Sequence, residues 1–221
     1  MSWDPIWEKI YSSQNWGKYP GEDLIRFIAR NFYQVHNRQT VRVLELGCGP
    51  GANLWFIARE GFTVYGIDGS ETAVELATKR LNNECHGWQG EVITSDFKKL
   101  PYPDNFFHAV IDNESVCCNS YEDSKEIYKE ASRVLIGNGK IFSRTFATTC
   151  WGDGTGEKVG KNAYMVSEGP ISGKGYARFT DYNEINDLFE CFMINEVELI
   201  SRQAHNRVDC VKEWVISGTK K

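Results

Sequence analysis

Apolar residues follow two rhythms along the chain, and the rhythms alternate. Trp3, Ile6, Trp7, Ile10 and Tyr11 recur at helical spacing behind Asp4-Pro5, a pair suited to an N-cap and first turn. Gly and Pro mark residues 16–21 (WGKYPG) as a loop; Leu24, Ile25, Ile28 and Phe32 then give one apolar face to a helix over 22–33. From Val41 onward the pattern changes to short apolar runs, which predict strands at 41–46, 64–68, 90–96, 108–112 and 140–146. Helical spacing returns between them, over 53–60, 71–84 (Val74, Ala77, Leu81) and 124–135 (Ile127, Ala131, Leu135). Strands alternating with helices in this way imply right-handed crossovers and a parallel sheet covered on both faces.

The alternation then stops. Residues 147–178 are glycine-rich and without period, which predicts a functional loop or lid. Asp181 and Glu184 are placed as a capping pair for a last helix ending near Phe192. The runs at 197–202 and 211–217 predict two final strands whose short connection permits only antiparallel pairing.

Composition narrows the class. The 221 residues suffice for one larger domain, and twelve Phe, ten Tyr and seven Trp are ample for one core. A net charge of −5 argues against nucleic acid or an anionic membrane as the main partner. The seven cysteines are odd in number, scattered and without a CxxC pair, so neither a disulfide framework nor a zinc site is expected. No secretory leader and no membrane-length apolar run is visible, so a cytoplasmic protein is expected. No carboxylate cluster has metal-ligand spacing, and metal is not expected in the chemistry.

The densest chemistry lies in 41–68, VRVLELGCGPGANLWFIAREGFTVYGID. A buried strand runs into Gly47, Gly49 and Gly51, which permit a tight turn and close backbone approach to a ligand. The following helix points its N-terminus at that turn, a geometry suited to a negatively charged ligand group. Asp68 ends the second strand seventeen residues after Gly51, where a carboxylate can accept a ribose diol. Glu45, the glycines and Asp68 together point to a nucleoside ligand.

In ELGCGPG (45–51), YGIDGS (65–70), SDF (95–97), LPYPDNFFHAVIDNESV (100–116) and ASRVLIGNGKIF (131–142), in this order, the chain resembles the class I S-adenosylmethionine-dependent methyltransferases, with a weaker likeness to their small-molecule members. The resemblance implies an α/β, Rossmann-like, doubly wound seven-stranded sheet, mostly parallel with an antiparallel final strand. It also implies one domain over 1–221, with a helical cap (1–40), a cofactor-binding core (41–146), and a substrate loop with the antiparallel ending (147–221). S-adenosyl-L-methionine is the implied cofactor. Gly47, Gly49 and Gly51 would hold its methionine end with Glu45 bracing the ammonium, and Asp68, with Gly69 and Ser70, would take the ribose. Asp96 would accept from the adenine amino group with Phe97 facing the ring, and Asn113 would lie near the sulfonium. Trp16 and Tyr19, on the loop before the sheet, are expected to contact the cofactor from above. Where the family often has Pro-Gly-Gly, this chain has Gly137-Asn138-Gly139, and Asn tolerates the positive φ such a turn requires.

Methyl transfer from a sulfonium is an in-line displacement that positioning in a dry pocket largely achieves, so no nucleophilic side chain is required. An oxygen or nitrogen acceptor still has to lose a proton; Glu114, after the fourth strand, and His205, between the last two, are the candidate bases. Lys174, Tyr176 and Arg178, in the glycine-rich region, are candidates for binding a small-molecule acceptor, the two cations by reading a carboxylate or phosphate. Two other readings stay open on the residues alone: a non-catalytic cofactor-binding module on the same fold, and an NAD(P)-dependent oxidoreductase. Oligomeric state leaves no mark in the sequence.

Overall fold

The computed structural model describes residues 3–221. In chain order the helices are α1 (Ile6–Ser13), α2 (Glu22–Phe32), α3 (Ala52–Arg59), α4 (Glu71–Glu84), α5 (Tyr121–Val134) and α6 (Ile185–Leu188). The strands are β1 (Arg42–Leu46), β2 (Thr63–Asp68), β3 (Gly90–Thr94), β4 (Phe107–Asn113), β5 (Leu135–Phe146), β6 (Glu157–Gly160), β7 (Ala163–Met165), β8 (Tyr176–Arg178), β9 (Phe192–Ala204) and β10 (Asp209–Lys220). Seven of them form the main sheet in the order β3-β2-β1-β4-β5-β10-β9. β1 to β5 run parallel, and β10 is antiparallel to both β5 and β9. The fold class expected from the sequence is the one observed.

Side chains alternate across the pleat, and both faces are covered. Val43, Val64, Ala109, Ile111, Phe142 and Val215 pack against Leu24, Phe27 and Ile28 of α2 and Leu54 and Ile57 of α3. Leu44, Leu46, Ile67, Val110, Ile141 and Ile216 pack against Ile127, Tyr128 and Ala131 of α5 and Ile185 and Leu188 of α6.

The segment before β1 divides its work. α2 is a covering helix of the sheet, its Phe27 ring 5.3 Å from that of Phe142. Only α1 and the loop after it reach over the strand ends. The aliphatic stripe of α2 matches the sheet face, while α1 carries the aromatics.

Two expectations in the last third need revision. Residues 147–178 are not a plain loop: β6, β7 and β8 make a small antiparallel sheet, with Val166, Ile171, Ala177 and Phe179 packed onto Phe146 and Cys150. Its strands of three or four residues, interrupted by glycines at positive φ, are too short to establish a period. Asp181 and Glu184 do form a reciprocal capping box, but α6 ends at Leu188 and β9 begins at Phe192, so the last helix is much shorter than its cap implied. Asn138 takes φ 63°, as the altered turn requires.

A buried carboxylate ties the centre of the sheet to the loops above it. Asp112, at the end of β4, accepts from Ser115 N–H (3.1 Å), Val116 N–H (3.0 Å), Tyr128 OH (2.7 Å) and Ser143 Oγ (2.7 Å). The Ser115 hydroxyl sits between Asp112 Oδ1 (2.9 Å) and the Leu46 carbonyl (2.6 Å). We expect Asp112→Asn, which puts an amide donor among groups that all donate, to cost about 2–4 kcal/mol in urea unfolding. A loss below about 1 kcal/mol would show that the knot is not what secures this edge.

Candidate active site

A cavity of about 500 Å³ opens at the C-terminal ends of β1, β2, β4 and β5, with α1 and residues 14–21 as its roof. At one end is the glycine loop. Gly47, Gly49 and Gly51 hold φ of 68°, 49° and 80°, values only glycine adopts freely. A Cβ on Gly47 would stand 2.3 Å from Ser115 Cβ, so the Asp112 knot and the glycine loop interlock.

The loop's donors are spent internally. Gly47 and Cys48 N–H bond the Ile67 carbonyl (2.8 and 3.0 Å), Gly49 N–H bonds Asp68 Oδ2 (2.8 Å) and Gly51 N–H bonds the Cys48 carbonyl (3.0 Å). The N-terminus of α3 is taken as well, because the buried Glu45 carboxyl accepts from Asn53 Nδ2 (2.5 Å) and from Leu54 N–H. The anion expected at this helix end is therefore the protein's own Glu45. What remains toward the cavity is acceptor-rich: Glu45 Oε2 is buried without a partner, and the Asp68 carboxylate lines the wall beside it. Such a surface suits a cationic group and offers little to a pyrophosphate. Burial pushes Glu45 up to about 8, the Asn53 bond opposes the rise, and the charges of Asp68 and Asp112 add to it. Asp68 is also raised, mainly by burial, against the N–H bonds from Ser70 and Gly49.

The roof is aromatic. A Cβ on Gly69 would lie 2.2 Å from Trp3 Cδ2, and one on Gly49 would lie 3.1 Å from the Tyr11 hydroxyl, so these rings sit where side chains on the cradle would be. Trp7, Tyr11 and Trp16 pack together with centroids 5.6–5.7 Å apart. Glu8 anchors α1 to the head of α4 through the Ser70 hydroxyl (2.5 Å) and the Thr72 hydroxyl. These bonds to Ser70 and Thr72 hold the Glu8 carboxyl below its ordinary range.

At the other end lies a charged cluster. Arg144 reaches Glu213 through Nη2 (2.6 Å) and lies 3.3 Å from Glu114 through Nε; Arg202 bonds Glu213 at 2.8 Å. Glu114 and Glu213 thus share the Arg144 guanidinium. Glu114 has φ 62°, an uncommon value for a residue other than glycine.

Of the residues singled out from the sequence, Glu45, Gly47, Gly49, Asp68, Gly69, Phe97, Asn113, Glu114, Trp16, Tyr19 and Lys174 all line this cavity. Gly51 instead faces Ala77 of α4, where a Cβ would be 3.0 Å from that methyl. The Ser70 hydroxyl is engaged in capping α4 (Ala73 N–H, 3.1 Å) and in holding Glu8. Asp96 accepts from Lys98 N–H (2.9 Å) in a local turn and lies outside the lining. His205 is exposed, bonded to Asp209 (2.7 Å), and also outside it. Tyr176 and Arg178 do not line the cavity either. Arg178 is 1% exposed, within 3.3 Å of Ser124 and 4.0 Å of Glu184, so it braces β8 against α5 and the last capping box. Trp3, Trp7, Tyr11, Arg144, Arg202 and Glu213 line the cavity without having been foreseen. Trp3, Trp7 and Tyr11 are marked in the sequence only as part of a helical apolar pattern, and the trace of the three charged residues is a charge inside an otherwise strand-like run, as in FSRTF (Arg144) and VKEWV (Glu213).

Residues 43–139 match the family model of a methyltransferase domain. The sterol 24-C-methyltransferase of Aspergillus fumigatus is 31% identical over 126 residues, 54% of this chain and 32% of that protein. The demethylmenaquinone methyltransferase of Tropheryma whipplei is 30% identical over 99 residues, 45% of this chain and 39% of that protein. The chain thus spans about a third of the length of the curated relatives it matches. In fold it is similar to an S-adenosylmethionine-dependent methyltransferase of Methanosarcina mazei, with TM-score 0.66 and 18% identity over 87% of this chain and 96% of the other. The ordered motifs, the match over residues 43–139 and the strand order with its single reversed strand point the same way: in this core segment and in its fold the chain is similar to S-adenosylmethionine-dependent methyltransferases.

Proposed function

We propose that this protein transfers the methyl group of S-adenosylmethionine to an oxygen or nitrogen atom of a small-molecule acceptor. The observation that carries the reading is one cavity with two chemically distinct ends: an acceptor-rich glycine cradle and a cluster of paired charges, under an aromatic roof. The cofactor supplies a methyl carbon already activated by positive sulfur. The unpartnered Glu45 Oε2 and the Gly47–Gly49 backbone would hold its ammonium, and Asp68 would take the ribose hydroxyls. Trp3, Gly69 and Phe97 would form the base-binding walls. The cavity leaves Asn113 and Glu114 beyond the cradle, where an acceptor would lie. The chain's contribution is orientation and exclusion of water. The relatives named above are a sterol and a demethylmenaquinone methyltransferase, which supports a small-molecule acceptor.

Calorimetry with S-adenosylmethionine and its demethylated product tests the reading directly. Asp68→Ala is expected to weaken binding at least about tenfold, a loss of about 1.4 kcal/mol or more. No binding by the intact chain would sink the proposal.

Glu45 yields a second test. Its ordinary value is near 4.5 and its value in the fold is about 8, so between those pH values the folded chain holds a proton that the unfolded chain has released. Stability without cofactor therefore falls as pH rises through that window, by up to about 3 kcal/mol at pH 7. Glu45→Gln is expected to flatten this decline and raise the melting temperature at pH 7 while weakening cofactor binding. In the wild type, an arriving ammonium ionises Glu45, so binding at pH 7 should release close to one proton. Calorimetry in buffers of different ionisation enthalpy measures it; a pH-independent melting difference between the two proteins would refute the assignment.

A further inference from the structure

The charged cluster at the far end of the cavity has a structure that ion pairing alone does not require. Two carboxyls, Glu114 just past β4 and Glu213 from β10, converge on one guanidinium, Arg144, at 3.3 and 2.6 Å, although like charges repel. Such crowding is stable only when a proton lies between the carboxyls or cations compress them, and here Arg144 and Arg202 supply the cations. Glu213 is 2% exposed and is gripped by Arg144 (2.6 Å) and Arg202 (2.8 Å). Glu114 keeps about a third of its side-chain surface open, and it lines the cavity. The pair thus has a sealed member and an open member, and the open one faces the ligand space.

The backbone makes the same point. Glu114 holds φ 62°, with its N–H on the Arg144 carbonyl at 2.8 Å. A residue in this region costs on the order of 1 kcal/mol and persists where its side chain must point one way. Arg144 is itself enclosed: a Cβ on Gly21 would lie 2.9 Å from its Nη1, so the roof loop rests on the guanidinium.

The groups facing Glu114 come from every neighbouring element. They are Arg144 on β5, Glu213 on β10 and Arg202 on β9, with Cys117 and Cys118 in its own turn and Asp23 of α2 acting through Arg144. Burial, then the hydrogen bond and charge of Glu213, push Glu114 up to about 8 against the two arginines. Burial also works to raise Glu213, but the Glu114 bond and the arginines outweigh it and hold that carboxyl ionised.

We propose that Glu114, with Glu213, Arg144 and Arg202 as its positioning residues, is the proton acceptor for the methyl-accepting molecule, which is therefore a neutral phenol, enol or amine rather than a carboxylate. The inference rests on the methyl-transfer reading above and adds the substrate class. As the acceptor atom bonds to the transferred carbon, the carbon–sulfur bond breaks with its electron pair left on sulfur. The acceptor's proton passes to the Glu114 carboxylate, so the lost sulfonium charge is matched by one neutralised carboxylate. A carboxyl poised near 8 is a far stronger base than an ordinary glutamate.

The test has two arms on the full chain. In the first, carbon-13 glutamate labelling and NMR titration without cofactor should reveal, besides Glu45, a second carboxyl with a midpoint near 8 that is absent in Glu114→Gln and persists in Glu45→Gln. Glu213→Gln, which removes the repelling charge, should lower that midpoint by about one unit or more. Arg202→Gln, at a side chain 61% exposed and so safe for folding, should raise it. In the second arm, deuteriomethyl-labelled S-adenosylmethionine is offered with a phenol, an alkylamine and an aliphatic carboxylic acid from pH 6 to 9.5. Transfer to the phenol or amine should rise about tenfold per pH unit up to the Glu114 midpoint. The bend should move down in Glu213→Gln and up in Arg202→Gln. Glu114→Gln should lose about a hundredfold or more of transfer while binding the cofactor within about twofold of wild type.

A Glu114 midpoint in the ordinary carboxylate range, or one indifferent to Glu213→Gln, overturns the proposal. So does pH-independent methylation of the carboxylic acid alone, which would leave methyl transfer itself standing. Absence of cofactor binding by the wild type would instead remove the methyl-transfer reading. Where no panel compound accepts the methyl group, the titration arm decides.

Discussion

The architecture of this protein hangs on Asp112. A carboxylate buried at the centre of a sheet is tolerable only if donors surround it, and here they come from three directions. Tyr128 arrives from α5, Ser143 from β5 and the 115–116 amides from the turn that follows β4. Satisfying one side chain therefore fixes a helix, a strand and a loop relative to each other. Through Ser115 the constraint passes onward, because that hydroxyl also holds the Leu46 carbonyl and its Cβ occupies the space that glycine leaves at position 47. The cofactor cradle is shaped from below by the packing of the sheet.

Polar economy explains the character of the site above that knot. A glycine-rich turn before a helix has many N–H groups, and the usual expectation is that they meet an anion. In this chain Ile67, Asp68 and Glu45 consume them first. The cavity therefore inherits the acceptors, a surface that suits an ammonium better than a phosphate.

The α1 segment adds a roof that the sheet alone lacks. Its aromatic rings cover the cradle, and Glu8 clips it to the head of α4. A helix of eight residues has little stability by itself, so it is held by these contacts and by the Trp7, Tyr11 and Trp16 cluster. The roof also rests on Arg144, which connects it to the paired carboxyls at the opposite end of the cavity.

What the sequence determined by itself is the local and periodic part. The alternation of strands and helices, the glycines at 47, 49 and 51, the carboxylates Glu45 and Asp68 and the reversed final strand are all written in short-range pattern, because pleat, helix pitch and turn sterics act within a few residues. The tertiary structure alone decided which chemical groups meet. Arg144, Arg202 and Glu213 lie far from Glu114 in the chain and carry no motif; the pairing of β5, β10 and β9 brings them together. It also set aside residues that local reasoning favoured. Arg178 was drawn into the core by Glu184 and Ser124, and His205 was left in solvent at the β9–β10 turn. Burial and partners assign a charged side chain its role, and both are properties of the packed chain rather than of any stretch of it.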